Sequence, residues 1–284
     1  MSFSADVKTE LTRVKAQGCC AFSELYGLFL FSKNFSNSDT LFSSDREDIT
    51  KKAKQLIKTV YNVTPTMSIL NGRYALSLDI INAGEIYLDV ISQEYITDAF
   101  VCEGCFSAFV RGAYLASGTA TDPNKDFHIE FKTIKESVAI SLNSIFSSLG
   151  FNTHVSKRGN SHLVYAKGSE NVSDIITLMG AQKKSLEVID CAMEREMRNK
   201  VNRIKNCETA NIDKTIEAVI KQTTAIKNLK KSGKLTHLSD ELKQAAQLRL
   251  ENPEMSLSEL SKLCGVSRSG LNHRFKKLIE LSNE

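Results

Sequence analysis

Polar and basic side chains near the C-terminus could bind nucleic acid. They recur at helical spacing after a glycine-containing turn, and they are Arg268, Ser269, Asn272, His273, Arg274, Lys276 and Lys277. Arginine can donate two hydrogen bonds to guanine, asparagine can pair with adenine in a similar way, and lysine neutralises phosphates. We therefore predict double-stranded DNA as the partner, with Arg268 and Asn272 at base edges. Lys276 and Lys277 then contact the DNA backbone.

A second polar face is predicted in the segment 193–206. Its apolar residues recur at helical spacing and form one stripe: Met193, Met197, Val201 and Ile204. The opposite face carries Arg195, Arg198, Asn199, Asn202 and Asn206. Because asparagine is a weak helix former, three on one face indicate hydrogen bonding to a partner. We predict DNA contact here too, and the alternative is contact with the protein's own N-terminal part.

Cysteines form two groups that could bind a metal. Cys19 and Cys20 are adjacent, and Cys102 and Cys105 form a CxxC pair. Four thiolates could bind zinc. Adjacent cysteines are poor ligands together, however, and free cysteine is common in protein cores. We therefore expect no metal and no cofactor. The odd total of seven cysteines on a long chain indicates reduced thiols rather than a disulfide framework.

Composition predicts a globular protein with a basic last third. The 284 residues suggest two domains, and no apolar run approaches the ~20 residues of a membrane helix. No signal-peptide h-region is visible, so we expect a cytoplasmic protein without a membrane partner. Residues 1–190 carry 19 basic and 21 acidic residues, whereas residues 191–284 carry 18 and 12. This imbalance favours a polyanion partner for the last third, although a solvated basic surface would look the same.

The C-terminal residues predict three short helices. The first spans about 240–250 and ends before Asn252-Pro253. The second begins at Ser256, where Glu259 completes a capping box, and it is expected to bury Leu257, Leu260 and Leu263. Gly265 suits the next turn, and Ser267 caps the third helix, whose apolar face is Leu271, Phe275 and Leu278. This spacing is typical of a helix-turn-helix, whose last helix enters the major groove. A helical packing module with a basic face is the alternative.

The segment before this domain predicts a separate helix. Asn211 is a suitable helix cap, and the helix then runs to about Lys231. Its inward residues are expected to be Ile212, Ile216, Val219, Ile220, Ile226 and Leu229. Residues 231–237 are expected to form a linker.

The first 190 residues contain an internal repeat. Apolar segments at 24–33 and 110–118 each carry a glycine near the start, Gly27 and Gly112, which are 85 residues apart. Amphipathic helices are predicted at 49–61 and 138–149. Hairpins are predicted at 66–80, with a turn at Asn71-Gly72, and at 153–166, with a turn at Gly159-Asn160. Short helices at 84–92 and 172–179 close the units. With early strands near 34–43 and 119–131, each unit is predicted as αββαββα, an α+β fold with antiparallel sheets.

The two apolar helices resemble the LAGLIDADG helices of homing endonucleases, in which glycine permits close helix packing. The resemblance implies a metal-binding acid near the end of each helix in an active nuclease. This sequence has Ser32 and Ser117 at those positions, and a serine hydroxyl does not replace a carboxylate as a metal ligand. We therefore expect no catalytic residues, and a scaffold or partner-binding role for residues 1–190. The alternative is a metal-dependent endonuclease.

The order of parts resembles the WhiA family of bacterial regulators. The most specific matches are Asn-Cys-Glu-Thr-Ala-Asn at 206–211 and Ser-Gly-Leu-Asn-His-Arg at 269–274. The resemblance implies a nucleoid-associated, DNA-binding transcriptional regulator of cell division and chromosome segregation, and of sporulation in some relatives. We predict two repeats at 1–98 and 99–190, a basic helical linker at 191–238 and a helix-turn-helix at 239–284. The resemblance implies adjacent cysteines in the second pair, whereas this chain has CxxC at 102–105.

The oligomeric state is left open by the sequence. A single helix-turn-helix usually works as a dimer on two half-sites. The basic middle helix could instead supply the second contact. A sequence-independent nucleoid protein that recruits a partner through residues 1–190 remains an alternative function.

Overall fold

The computed structural model describes residues 2–93 and 95–283. The chain divides into two compact units, Met1–Glu196 and Met197–Glu284. Within the described residues, none of the helices is long and apolar enough to span a membrane.

The first repeat lies in the N-terminal unit and is preceded by helix α1 (Phe3–Leu11). Its described elements are, in chain order, α2 (Gly18–Leu30), β1 (Thr40–Ser44), α3 (Glu47–Tyr61), β2 (Thr66–Leu70), β3 (Arg73–Ser77) and α4 (Ile80–Ile91). The strands form an antiparallel sheet in the order β1-β3-β2. A short 3₁₀ helix at Ile96–Ala99 leads into the second repeat.

The second repeat follows the same plan with a fuller sheet. Its elements are α5 (Gly104–Ser117), β4 (Thr119–Ala120), β5 (His128–Thr133), α6 (Glu136–Ser148), β6 (Thr153–Arg158), β7 (Ser161–Lys167) and α7 (Ser169–Met179). The antiparallel strand order is β4-β5-β7-β6. Both repeats therefore show the α+β arrangement with antiparallel sheets that the sequence predicts.

The early strands differ between the repeats. In the second repeat, two strands, β4 and β5, lie between the first and second helices. In the described residues of the first repeat, only β1 lies there, and an isolated bridge between Phe35 and Phe42 takes the place of the other strand. Residues 36–39 are Ser-Asn-Ser-Asp, and these side chains favour turns over a strand.

The first hairpin also ends earlier than its pattern predicts. Asn71 and Gly72 both have positive φ, 51° and 76°, as a two-residue hairpin turn requires. Strand β3 stops at Ser77 rather than residue 80, because the Asp79 side chain accepts a hydrogen bond from the Asn82 N–H and starts α4.

Helices α2 and α5 pack against each other at their glycines. A Cβ on Gly27 would lie 2.2 Å from the carbonyl oxygen of Phe109, and one on Gly112 would lie 2.0 Å from that of Glu24. No side chain fits at such distances, so the two backbones can approach only because both positions are glycine. The close packing inferred from the LAGLIDADG resemblance is therefore present, and the two helices lie in the core of this unit.

Gly112→Ala is expected to destabilise the N-terminal unit by about 1–3 kcal/mol or more, because backbone atoms of α2 must move to admit the methyl group. All seven tyrosines lie in residues 1–196 and the chain has no tryptophan, so tyrosine fluorescence during urea unfolding reports on this unit.

Gly84→Ala provides the matched control. Gly84 lies inside α4, and the nearest atom to an added Cβ is the Asn37 Oδ1 at 3.8 Å, which is ordinary contact. Alanine there should stabilise the helix by about 0.5–1 kcal/mol. Equal effects of the two substitutions would contradict the close-packing argument.

The long helix α8 (Gln182–Lys231) corrects the prediction of a break before Asn211. The segment 206–211 contains neither glycine nor proline, and asparagine costs a helix interior at most about 0.7 kcal/mol relative to alanine. Ile226 and Leu229 are buried as predicted, whereas Ile212, Ile216 and Ile220 are exposed. Only the last turns of α8 reach the core of the C-terminal unit, which explains the difference.

The C-terminal unit ends in the predicted helix-turn-helix. Helices α9 (Asp240–Glu251), α10 (Leu257–Cys264) and α11 (Arg268–Asn283) follow a 3₁₀ turn at Lys234–His237. Leu260, Leu271, Phe275 and Leu278 are buried. Leu263 is exposed, contrary to the prediction, because the buried face of α10 passes through Leu260, Ser261 and Cys264.

Candidate nucleic-acid interface

Local hydrogen bonds set the start of α11, the candidate recognition helix. Gly265 takes the left-handed conformation at φ +69°, and the Ser267 hydroxyl accepts a hydrogen bond from the Gly270 N–H at 3.1 Å. On the preceding helix, Ser256 and Glu259 form the predicted capping box. These contacts place Arg268 in the first turn of α11, where a helix in the major groove meets base edges.

The buried face of α11 determines which residues face outward. Leu271, Phe275 and Leu278 pack into the core. The exposed residues include most of the predicted set: Arg268, Ser269, Asn272, His273, Lys276 and Lys277. This surface combines two positive charges near the middle of the helix with hydrogen-bonding groups at its N-terminal end, a combination that can bind phosphates and base edges.

Arg274 differs from the rest of the predicted set because it is half-buried. One guanidinium nitrogen lies 3.2 Å from the Glu241 carboxylate, and another donates to the Cys264 sulfur at 3.6 Å. Arg274 therefore joins α11 to both α9 and α10. Its geometry indicates a role in holding the recognition helix.

A second arginine, Arg249, is nearly fully buried and also fixes α11. Its Nε donates to the Gln222 Oε1 at 2.9 Å, and its Nη1 donates to the Met255 carbonyl at 2.7 Å. The guanidinium carbon lies 5.3 Å from the centre of the Phe275 ring, a cation–π distance. Burial lowers the pKa of Arg249. Arg249 thus links α8, α9 and α11.

A groove within the C-terminal unit extends the polar surface beyond α11. It has a volume of about 470 Å³, and its lining includes Asn211 and Lys214 of α8 together with Arg268 and Asn272. Asn211 and Lys214 were not predicted as site residues, because Asn211 was interpreted as a helix cap. Their position three residues apart in a helix and beside a basic segment could have indicated a shared polar face.

Of the residues predicted to contact DNA from the middle helix, one packs on the N-terminal unit and three are exposed. In the N-terminal unit, the Arg195 guanidinium donates to the Pro123 carbonyl at 2.9 Å and lies 4.4 Å from the Phe127 ring. This contact matches the alternative stated for that face, packing on the protein's own N-terminal part. Arg198, Asn199 and Asn202 are exposed on α8. The apolar stripe is exposed as well, with Met193 at 58%, Met197 at 67%, Val201 at 62% and Ile204 at 51%.

The two repeats bring Ser32 and Ser117 to one cavity of about 350 Å³ in the N-terminal unit. This is the convergence that the LAGLIDADG resemblance implies. Each hydroxyl accepts a hydrogen bond from a nearby backbone N–H, Ser32 from Asn34 and Ser117 from Lys132. The charged lining is mostly basic: Lys8, Lys33, Arg46, Arg73 and Lys132, with Asp45 paired to Arg73 at 3.3 Å. Basic residues at this position oppose the binding of a divalent cation.

The buried acid Glu24 is not among the residues that line this cavity. It contacts Arg111 and Lys52 inside the core, at 2.9 and 3.2 Å. Glu24 therefore has a structural partnership rather than a position beside Ser32 and Ser117.

Family models match two parts of the chain. The WhiA LAGLIDADG-like domain matches residues 106–198, and the WhiA C-terminal HTH domain matches residues 201–282. Among curated proteins, the chain is 30% identical to a "Probable cell division protein WhiA" of Alkaliphilus metalliredigens. It is 31% identical to the protein of the same name from Oceanobacillus iheyensis. Each match covers 100% of this chain and 98% of the relative.

Solved structures show the same fold. Full-length DUF199/WhiA from Thermatoga maritima superposes with a TM-score of 0.60 at 23% identity, covering 100% of this chain and 98% of the other. The N-terminal LAGLIDADG domain of DUF199/WhiA gives a TM-score of 0.52 at 18% identity, covering 64% of this chain and 95% of the other. With matching domains in the same order and relatives at or above 30% identity over the whole chain, this protein belongs to the WhiA family.

Proposed function

We propose that this protein binds double-stranded DNA through the outward face of α11 and regulates transcription in the control of cell division. The observation that carries the proposal is the exposed set at Arg268, Asn272 and Lys276 on a helix held by a complete helix-turn-helix core. The full-length relatives are named probable cell division proteins. Because the target is chromosomal DNA, the protein acts in the cytoplasm in association with the nucleoid. Such a regulator can also act in chromosome segregation and, in organisms that sporulate, in sporulation.

The remaining predicted residues extend the contact. Ser269 and His273 flank the base-contacting positions, and Lys277 adds a phosphate contact. Arg198, Asn199 and Asn202 lie on α8 and supply a second, weaker contact with the backbone. Lys214 and Asn211 share a groove with the recognition helix and can bind the phosphates next to the bases it reads.

The LAGLIDADG-like domain is proposed to act without cleaving DNA. Hydroxyls replace the two expected acids, and lysines and arginines line the cavity where metal ions would bind. Two-metal cleavage requires carboxylates that hold both cations beside the scissile phosphate. The domain instead provides a scaffold or a surface for a protein partner.

One binding experiment with the full-length chain tests these proposals. Its affinity for a library of genomic fragments and for random DNA is measured over a salt series in the presence of Mg²⁺. Recovery of a preferred sequence that is still bound at about 200 mM salt supports a sequence-reading regulator. Supercoiled plasmid in the same buffer should remain uncut.

The opposite results have clear meanings. Uniform binding that disappears with salt would contradict sequence reading and indicate a chromosome-coating protein, with function in what the N-terminal domain recruits. Absence of DNA binding at low salt would overturn the proposal. Plasmid cleavage that is lost after substitutions near Ser32 or Ser117 would establish the endonuclease alternative.

A further inference from the structure

Four cysteine sulfur atoms converge at the N-terminal ends of the paired helices α2 and α5. Cys19 and Cys20 lie in the first turn of α2, Cys102 precedes α5, and Cys105 lies in its first turn. The Cys102 sulfur is 3.5 Å from that of Cys19, 3.4 Å from that of Cys20 and 3.6 Å from that of Cys105. All four lie within 4.8 Å of one another, and we call them the four-cysteine cluster.

We propose that the four-cysteine cluster binds one Zn²⁺ ion as a structural site. Zinc held by four thiolates at about 2.3 Å separates neighbouring sulfur atoms by about 3.8 Å, the edge of the tetrahedron. The three separations from the Cys102 sulfur, 3.4–3.6 Å, are near this value, and all pairs lie within 4.8 Å. They are far longer than the roughly 2.05 Å of a disulfide bond.

Core packing does not explain the cluster. Free cysteine used for packing is among the most buried residue types. Here Cys105 is buried, Cys19 and Cys20 are half-exposed, and Cys102 is exposed. A group of four thiols near the surface is better explained by a shared ligand than by apolar burial.

The objection that adjacent cysteines bind zinc poorly does not hold for this geometry. The first turn of α2 directs the sulfur atoms of both Cys19 and Cys20 toward Cys102. Gly104 leaves the space that this requires, because a Cβ at that position would lie 3.2 Å from the Cys20 sulfur. The glycine inside the CxxC pair therefore leaves room for the Cys20 sulfur.

The four-cysteine cluster lies at the N-terminal ends of two helices, where the helix dipole favours the negatively charged ligands of a bound cation. The Cys102 N–H donates a hydrogen bond to the Cys105 sulfur at 3.4 Å, a contact that orients a metal-bound thiolate. A zinc ion with four thiolates carries a net negative charge, which these dipoles offset.

A single ion fits better than an iron–sulfur cluster. Such clusters distribute their cysteine ligands over two or more iron atoms, which spreads the sulfur atoms apart. The compact arrangement here matches one tetrahedral centre. The bound ion would connect the first repeat to the second through residues more than eighty positions apart in the chain.

Metal analysis of the full-length protein tests the proposal. The chain is purified under reducing conditions without chelator, and its zinc and iron contents are measured by mass spectrometry. We expect about one zinc per chain. Cys102→Ser should lose most of the zinc, whereas Cys207→Ser, which removes an exposed thiol outside the cluster, should keep it.

Cobalt substitution tests the site without a variant that could misfold. Replacement of the metal by Co²⁺ in the unaltered protein should produce the intense visible absorption of tetrahedral four-thiolate coordination. Native thiol titration should detect the exposed Cys207 at once, whereas the four cluster thiols should react only after metal release. Zinc-free protein with seven free thiols, a disulfide within the cluster, iron in place of zinc, or the weak spectrum of oxygen-coordinated cobalt would each overturn the proposal.

Discussion

Glu24→Ala is expected to lower the free energy of unfolding of the N-terminal unit by about 3–5 kcal/mol, the cost of leaving buried charges unpaired. Glu24 is fully buried on α2. Its Oε2 accepts a hydrogen bond from Arg111 on α5 at 2.9 Å, and its Oε1 lies 3.2 Å from the Lys52 Nζ on α3. Both cations are less than 10% exposed, so neither reaches water when the carboxylate is removed.

The same ion network joins further parts of the core. Arg111 also donates to the Met179 carbonyl at the end of α7, at 3.0 Å, and Lys52 donates to the Val14 carbonyl. Removal of Glu24 therefore affects the contact between both repeats. Tyrosine fluorescence during urea unfolding measures the loss.

The loss of unfolding free energy caused by Glu24→Ala should become smaller as pH rises. Burial lowers the pKa of Lys52 below its ordinary 10.5, and the Glu24 carboxylate opposes that shift. Without Glu24 the folded protein binds fewer protons at Lys52 than the unfolded chain does. Stability then increases with pH. The unaltered protein also gains stability as pH rises, but its Lys52 pKa is higher than that of the variant because Glu24 is present. The difference therefore narrows until the pH passes the Lys52 pKa of the unaltered fold, which is below 10.5.

Glu47→Ala is the matched control for this experiment. Glu47 pairs with Lys51 at 2.9 Å on the surface of α3, and both side chains are about half exposed or more. Because water screens an exposed pair of this kind, Glu47→Ala should leave the free energy of unfolding nearly unchanged. A loss of less than about 1 kcal/mol for Glu24→Ala would contradict the buried-network interpretation.

The combined substitution Arg268→Ala and Asn272→Ala is expected to remove about 2–6 kcal/mol of discrimination between preferred and scrambled DNA, because each base contact contributes about 1–3 kcal/mol. Both side chains are exposed on the first turns of α11. The measurement is the ratio of dissociation constants for the two DNAs at fixed salt, using the full-length chain.

Lys276→Ala distinguishes the contribution of base contacts from that of phosphate contacts. Lys276 is exposed one turn further along the same helix, where a phosphate contact is predicted. Its loss should weaken binding to all sequences similarly and reduce the salt slope by about 1. If sequence preference survives in the Arg268 and Asn272 variant, or is lost in Lys276→Ala alone, the assignment of these residues is wrong.

Local sequence signals were sufficient for much of the fold. The capping box at Ser256 and the turn at Gly265 place the helix-turn-helix, because they act over a few residues. The paired glycines Gly27 and Gly112 identify the helices at the centre of the N-terminal unit. The Asn71-Gly72 turn identifies a hairpin for the same reason.

The length of α8 and the exposure of its apolar stripe were not predictable in the same way. A helical pattern shows which residues share a face, but it does not show whether another element covers that face. Ile212 and Ile226 belong to the same predicted inward face of one helix. Only the second reaches the helix-turn-helix core, and only the second is buried.

The sequence alone determined the two kinds of domain, the helix that presents Arg268 and Asn272, and the loss of the acids at Ser32 and Ser117. Each depends on residue identity or on spacing within one element. The tertiary structure decided that Glu24 pairs inside the core, that Arg195 contacts Pro123, and that four cysteine sulfur atoms meet. These contacts join residues tens of positions apart, so they depend on how helices and sheets pack, which no local pattern specifies.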